Sequence, residues 1–285
     1  MAGMHNVIQT ISQTSRHAAR TCIVAAGCAV LVPAIGAPPA TAGDAPAGTI
    51  ITIGGYGVIS PEFEGSKSYE ASFRPSFGWH KAGDRVWLDL PNDGLDFSLF
   101  QGDNYRLGVV GNLRFQRDTN DVRPRGFKEV GSVDVSIEAG AFAEYWPSQS
   151  LRTRAEVRSA LFGADGLIAD LSADVVLHPI ERWTLTAGPR LSIADESFMD
   201  SYYSINAAQA VTSGLAQYKA DAGVRSFGAG VSARYELTSN ITTIGYIEYQ
   251  HLTGSAGDSP LITDRGSPDQ VTVGLGLKYS FGAPW

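Results

Sequence analysis

Alternation of apolar and polar residues runs along most of the chain from residue 49 onward. The stretch YEASFRPSFGWH (69–80) shows it most fully: Tyr69, Ala71, Phe73, Pro75, Phe77 and Trp79 form one set, and Glu70, Ser72, Arg74, Ser76, Gly78 and His80 the other. Successive side chains on a strand point to opposite faces, so this stretch has one greasy face and one wet face. The period recurs in TIITIGGYGV (49–58), DRVWLDL (84–90), LDFSLF (95–100), YRLGVVGNLRFQ (105–116), SVDVSIEAGAFAEYW (132–146), LRTRAEVRSAL (151–161) and LIADLSADVVLH (167–178). It returns in RWTLTAGPRLSIA (182–194), VRSFGAGVSARYEL (224–237), ITTIGYIEYQHL (241–252) and QVTVGLGLKYSF (270–281).

These runs predict an all-β chain of about twelve strands, with about ten if the short runs at 84–90 and 95–100 drop out; most are as long as the nine to eleven residues a membrane-crossing strand needs. Soluble strands are typically about half that length. Links alternate too. Those at 81–83, 101–104, 147–150, 179–181 and 238–240 are short, while 59–68, 117–131, 195–223 and 253–269 are long, with 91–94 and 162–166 as short exceptions on the long side. Short turns on one rim and long loops on the other are the pattern of an antiparallel up-and-down transmembrane β-barrel. A soluble periplasmic sandwich or lipocalin-like barrel would instead hide the aromatic row in a core. It accounts poorly for the strand lengths and for the charges stacked at 152–158. In the membrane reading, Tyr69, Phe73, Phe77 and Trp79 face lipid, with Tyr69 and Trp79 near the two interfaces.

Charge sharpens the picture. Lys+Arg 22 against Asp+Glu 29 gives −7, which argues against nucleic acid as a partner. The wet faces carry Arg106, Arg114, Arg152, Arg154 and Arg158, with Arg190 and Arg234 in the same role. Glu138, Glu144, Glu156, Asp170 and Asp174 are their candidate partners. Two arrangements follow: an interior ion-pair network that fills a narrow lumen, or an anion-preferring constriction built from a ring of arginines.

The N-terminus has Arg16 and Arg20, then the apolar CIVAAGCAVLVPAIGAPPA and an A-x-A site at Ala40-Thr41-Ala42. This predicts a secretory signal over 1–42, cleaved after Ala42, and a barrel over 43–285. A lipoprotein cut before Cys28 is the rival. Cys22 and Cys28 both lie in the signal, so the mature chain has no thiol chemistry. His80, His178 and His251 have no metal spacing, and their contexts HKA, HPI and HLT hold no H-x-S for a rim hydrolase. GGYG (54–57) and GLG (274–276) lie inside strand patterns, where glycine admits close aromatic packing rather than a phosphate. No catalytic, cofactor or metal residues are indicated. The long link 194–223, with a short helix predicted near Asn206–Leu215, forms either a plug or an outward binding surface.

Three segments resemble the MipA/OmpV family of outer-membrane proteins. SPEFEGS (60–66) resembles its P-x-Y/F-x-G-S opening; GPRLSIADESFMDSYYSI (188–205) with SGLAQYKADAG (213–223) is similar to its central segment. GSAGDSPLI (254–262) before GLGLKYSF (274–281) resembles its ending. Tyr202-Tyr203 stands where a Tyr-Phe pair is common, and the extension to Trp285 departs from the family pattern. The resemblance implies an outer-membrane barrel; the family has no agreed catalytic residues, so none is carried over. It also implies a scaffold role, with a murein lytic transglycosylase and a peptidoglycan synthase as partners. Porin-like and adhesive members make a channel or a surface adhesin the alternative.

Overall fold

The computed structural model describes residues 48–83, 87–114, 136–162 and 166–283. The predicted signal over 1–42, its cleavage site and the link 117–131 lie outside them.

Among the described residues, eleven strands form one sheet: β1 (Thr49–Pro61), β2 (Tyr69–Lys81), β3 (Leu95–Gln101), β4 (Tyr105–Arg114), β5 (Ser136–Ser148), β6 (Leu151–Phe162), β7 (Leu167–Leu177), β8 (Trp183–Ala194), β9 (Gly223–Glu236), β10 (Ile241–Leu252) and β11 (Asp269–Ala283). The sheet order is β2-β1-β11-β10-β9-β8-β7-β6-β5-β4-β3, and every pairing is antiparallel. The result is a nearly closed up-and-down barrel with one seam, between β2 and β3. Across it the Trp79 and Phe97 rings stand 5.6 Å apart.

The strand count differs from the expected twelve at one place. Residues 87–90 of the predicted run DRVWLDL are irregular chain, and 84–86 lie outside the described residues. With eleven antiparallel strands, β2 and β3 run in the same direction. The chain between β2 and β3 must therefore turn back up the barrel, and its described part, 87–94, lies inside the lumen. Leu88 and Leu90 are buried there against Trp146 and Val176, with Trp87 alongside. Pro91-Asn92-Asp93-Gly94, a turn-forming sequence, then redirects the chain toward β3. This inner segment does the topological work of a twelfth strand, so Thr49 of the first strand and Ala283 of the last are paired on the rim of short turns.

The faces divide by chemistry. Phe73, Phe77, Phe97, Leu107, Val109, Val157, Val231, Ile247 and Leu275 are all exposed on the outside. A soluble protein rarely exposes apolar patches above a few hundred Å². Here the apolar band involves strand after strand, so the outer solvent is lipid. Closure suits lipid because an unpaired backbone group in hydrocarbon costs several kcal/mol.

At the rim opposite the short turns, the two longest described links form one cap. It contains α1 (Glu196–Tyr203), α2 (Ala207–Ser213), α3 (Gly254–Gly257) and a π-helical turn, Leu261–Arg265. Asp195 caps α1 by accepting from the Phe198 N–H at 2.8 Å. Asn206 and Gln209 cap α2 reciprocally. Phe198, Met199, Tyr203, Ile205, Leu261 and Ile262 are buried together with Ile168 and Leu252 from the strand ends. Gly166, at φ +132, meets the backbone of Phe198, and a Cβ there would come within 2.3 Å of its nitrogen. The expected helix near Asn206–Leu215 is α2.

On the inner wall, Tyr56 and Tyr246 lie over Gly276 and Gly274, where an added Cβ would come within 2.3 Å and 2.1 Å of their rings. The two rings meet edge-to-face at 6.2 Å. Gly274→Val is expected to unseat Tyr246 and destabilise the barrel by about 1–3 kcal/mol, the usual cost of overpacking. Loss of the compact band at lower temperature on unboiled gels checks this.

Candidate functional site: the braced lumen

The polar faces of β4–β8 meet inside the barrel, and the ladder register sets their contacts. Arg106 stands opposite Glu144, and Glu144 opposite Arg154. Arg152 stands opposite Asp174.

Glu144 is the centre of the lower half of the lumen. Its Oε2 accepts from Arg106 at 3.0 Å, Arg152 at 2.7 Å and Arg154 at 3.2 Å. Its Oε1 accepts from the Trp146 indole N–H at 2.8 Å. Arg152 is fully buried and also donates to Asp93 at 2.6 Å and Asp174 at 3.4 Å. Arg154 donates to Glu156 at 2.7 Å, lies 2.9 Å from Asp96 and stacks 4.1 Å over the Phe142 ring. Asp93 and Asp96 belong to the inner segment and the start of β3. The arginines of β6 therefore clamp the returning chain to the wall.

A second cluster lies nearer the cap. Arg158 pairs with Glu138 at 3.1 Å and with Glu156 and Asp170. Arg114 pairs with Glu138 at 2.6 Å and Glu64 at 3.3 Å, and lies over the rings of Phe198 and Tyr202. Arg225 reaches Glu64 and the Ser192 hydroxyl. This cluster ties the cap to the wall. In the neighbouring link, burial and then nearby Glu70 push the Glu62 carboxyl above its ordinary range. The remaining side is bridged more sparsely, by Arg190 to Asp174 at 2.7 Å, by Asn92 to Glu248 and by Lys278 to Asp89.

The structure thus brings together Arg106, Arg114, Arg152, Arg154, Arg158, Glu138, Glu144, Asp170 and Asp174. Each of the five arginines touches at least one carboxylate, so none presents an open positive ring. Tyr69, Phe73, Phe77 and Trp79 are all exposed on the outer face of β2. Sequence reasoning missed Asp93, Asp96, Arg225, Glu64 and Lys278. The Pro-Asn-Asp-Gly turn signature was the available signal for Asp93; nothing local marks Glu64 or Arg225 as partners.

Beside this network a cavity of about 1780 Å³ remains. Its wall on β1, β2 and β9–β11 is mostly neutral, with Thr52, Ser76, Ser232, Thr242 and Ser280. It reaches both faces of β2 at the seam, from Arg74 and Ser76 inside to Phe73 and Phe77 outside.

A lipid-facing apolar belt around a charged, closed interior defines an outer-membrane β-barrel protein. The family model described as MltA-interacting protein MipA matches residues 53–281, and the chain belongs to that family. It is 26% identical over 192 residues to the putative outer membrane protein YiaT of Escherichia coli (strain K12), covering 65% of this chain and 74% of that protein. Among solved structures, an outer membrane channel from Pseudomonas putida F1 covers 86% of this chain and 100% of its own at 13% identity and TM-score 0.43. The N-terminal barrel domain of Pseudomonas aeruginosa OprF covers 64% of this chain and 100% of its own at 13% identity and TM-score 0.30.

Removing the central acceptor leaves three guanidinium groups facing one another. Glu144→Ala is expected to cost about 3–5 kcal/mol, as for other broken buried ion pairs. Glu196→Ala, which breaks the solvent-exposed pair with Lys219, is expected to leave stability unchanged. Urea unfolding of the two variants in lipid checks the contrast.

Proposed function

We propose that the protein is a non-catalytic scaffold of the outer membrane, holding a murein lytic transglycosylase and a peptidoglycan synthase at its periplasmic rim. The observation that carries this reading is the family match over 53–281, whose description names interaction with MltA. The braced lumen supports it. A wall cross-linked by arginine clusters and filled on one side by the 87–94 segment is suited to rigidity more than to passage. The rim of short turns, 102–104, 149–150, 178–182 and 237–240, offers a compact docking face. In this reading Tyr69, Phe73, Phe77 and Trp79 anchor the barrel in lipid.

A porin-like channel is the second reading, and the 1780 Å³ cavity favours it. Crosslinked pull-down of the tagged protein from intact envelopes separates the two. The scaffold reading expects murein transglycosylase or synthase peptides enriched about tenfold or more over an abundance-matched barrel, the excess that a Kd difference of about 1.4 kcal/mol gives. It also expects no steady conductance in planar bilayers. Conductance without murein enzymes would overturn it in favour of the channel.

A further inference from the structure

Among the described residues the seam between β2 and β3 is the one break in the barrel's ladder, and three independent features converge on it. First, β3 has seven residues against thirteen in β2. At about 3.3 Å per residue, β3 can flank only about half of β2's free edge. The Trp79–Phe97 contact places that flanked half toward the rim of short turns. Second, Pro75 sits in the middle of β2. Proline is tolerated in a sheet only where its missing N–H faces away from the ladder, so residue 75 points that position into the seam. By alternation the backbone groups of Phe73 and Phe77 also face the seam. Their side chains stand on the outer surface, 68% and 59% exposed.

Third, polar groups without partners lie along the inner wall from this edge to β10. Ser72 and Arg74 are on the inner face of β2, and the cavity reaches Arg74. Arg74 makes no ion pair among the described residues, unlike the arginines of β6. The ladder aligns Ser72, Val58, Gly274 and Tyr246 in one row across β2, β1, β11 and β10. Glycine at 274 lets the Tyr246 ring lean across β11. Tyr246 is 95% buried by its 5% exposure, lines the cavity, and its hydroxyl has no hydrogen-bond partner. The Ser72 hydroxyl is likewise buried and unpartnered. Buried polar groups are normally satisfied, and each exception calls for a cause.

We propose that the seam is a lateral port for a long-chain carboxylate, its chain lying against Phe73, Phe77 and Trp79 and its head received by Arg74, Tyr246 and Ser72. One unpaired guanidinium with two hydroxyl donors matches a single negative charge with several acceptor lone pairs. The apolar rings outside match the chain. The head group also supplies acceptors near the free edge of β2, where backbone donors would otherwise face hydrocarbon.

The test uses the full barrel in phosphatidylcholine nanodiscs with cis-parinaric acid as probe, read by energy transfer from tryptophan. The expected result is saturable transfer for the acid, and binding at least about tenfold weaker for its methyl ester, which lacks the charge. Arg74→Gln and Tyr246→Phe are expected to weaken the acid to a similar degree, while Arg74→Lys retains most of it. A compact band on unboiled gels certifies each variant as folded. Equal transfer from acid and ester, or wild-type binding by folded Arg74→Gln, would mean partition into bilayer only and would overturn the port. Absence of saturable binding, with particles that contain two copies joined at β2, would overturn it in favour of a second chain as occupant.

Discussion

One carboxylate with four donors organises this molecule. Glu144 accepts from Arg106, Arg152, Arg154 and Trp146 in a space with almost no solvent. Charges buried this way are costly unless paired and hydrogen-bonded, and pairing them requires their strands to be in register. The ladder supplies that register: Arg106, Glu144 and Arg154 are consecutive partners across β4, β5 and β6. A slip of one residue would turn every charge outward into lipid. The network thus stabilises the wall and specifies its alignment together. Arg152 and Arg154 also take up Asp93, which fixes the returning chain inside the barrel. An odd number of strands becomes compatible with Thr49 and Ala283 meeting on one rim.

Much of this is legible in the chain. Period-2 alternation on strands of seven to fifteen residues identifies the wall, and the parity of Arg152, Arg154 and Arg158 identifies its inner face. Short and long links separate the two rims. The twelfth run, 84–90, shows the limit of this reasoning. Trp87, Leu88 and Leu90 read as a strand by pattern, and the facing edges of β2 and β3 could have paired one. The chain instead buries these residues against Trp146 and Val176. Alternation reports which side chains seek apolar surroundings. It does not say whether those surroundings are lipid outside or a small core within.

The partners of long-range contacts were equally out of reach. Glu64 and Arg225 are 161 residues apart in sequence and meet because the first link and the start of β9 share one rim. The cap shows the same physics. Its helices have readable caps at Asp195 and Asn206, yet their shared core depends on Leu261 and Ile262 from another link. The sequence pattern located α2 alone; α1 and the joining of two links into one lid follow from tertiary packing. Asymmetry around the lumen is the consequence with functional weight. Ion pairs crowd β4–β8, whereas the side near β1 and β2 keeps its cavity, its glycines and its unpartnered hydroxyls.

The most direct test asks where the 87–94 segment lies. Asn92→Cys, with Cys22 and Cys28 replaced by serine, would be exposed in bilayers to a maleimide carrying a polymer too large for the lumen. Ser239→Cys on the short-turn rim serves as the control. The inward path predicts that Cys at 92 stays unlabelled until the barrel is unfolded, while the control reacts at once. Labelling of folded protein at the control's rate would place the segment outside the lumen, as a twelfth wall strand followed by a rim loop would require, and would contradict the account.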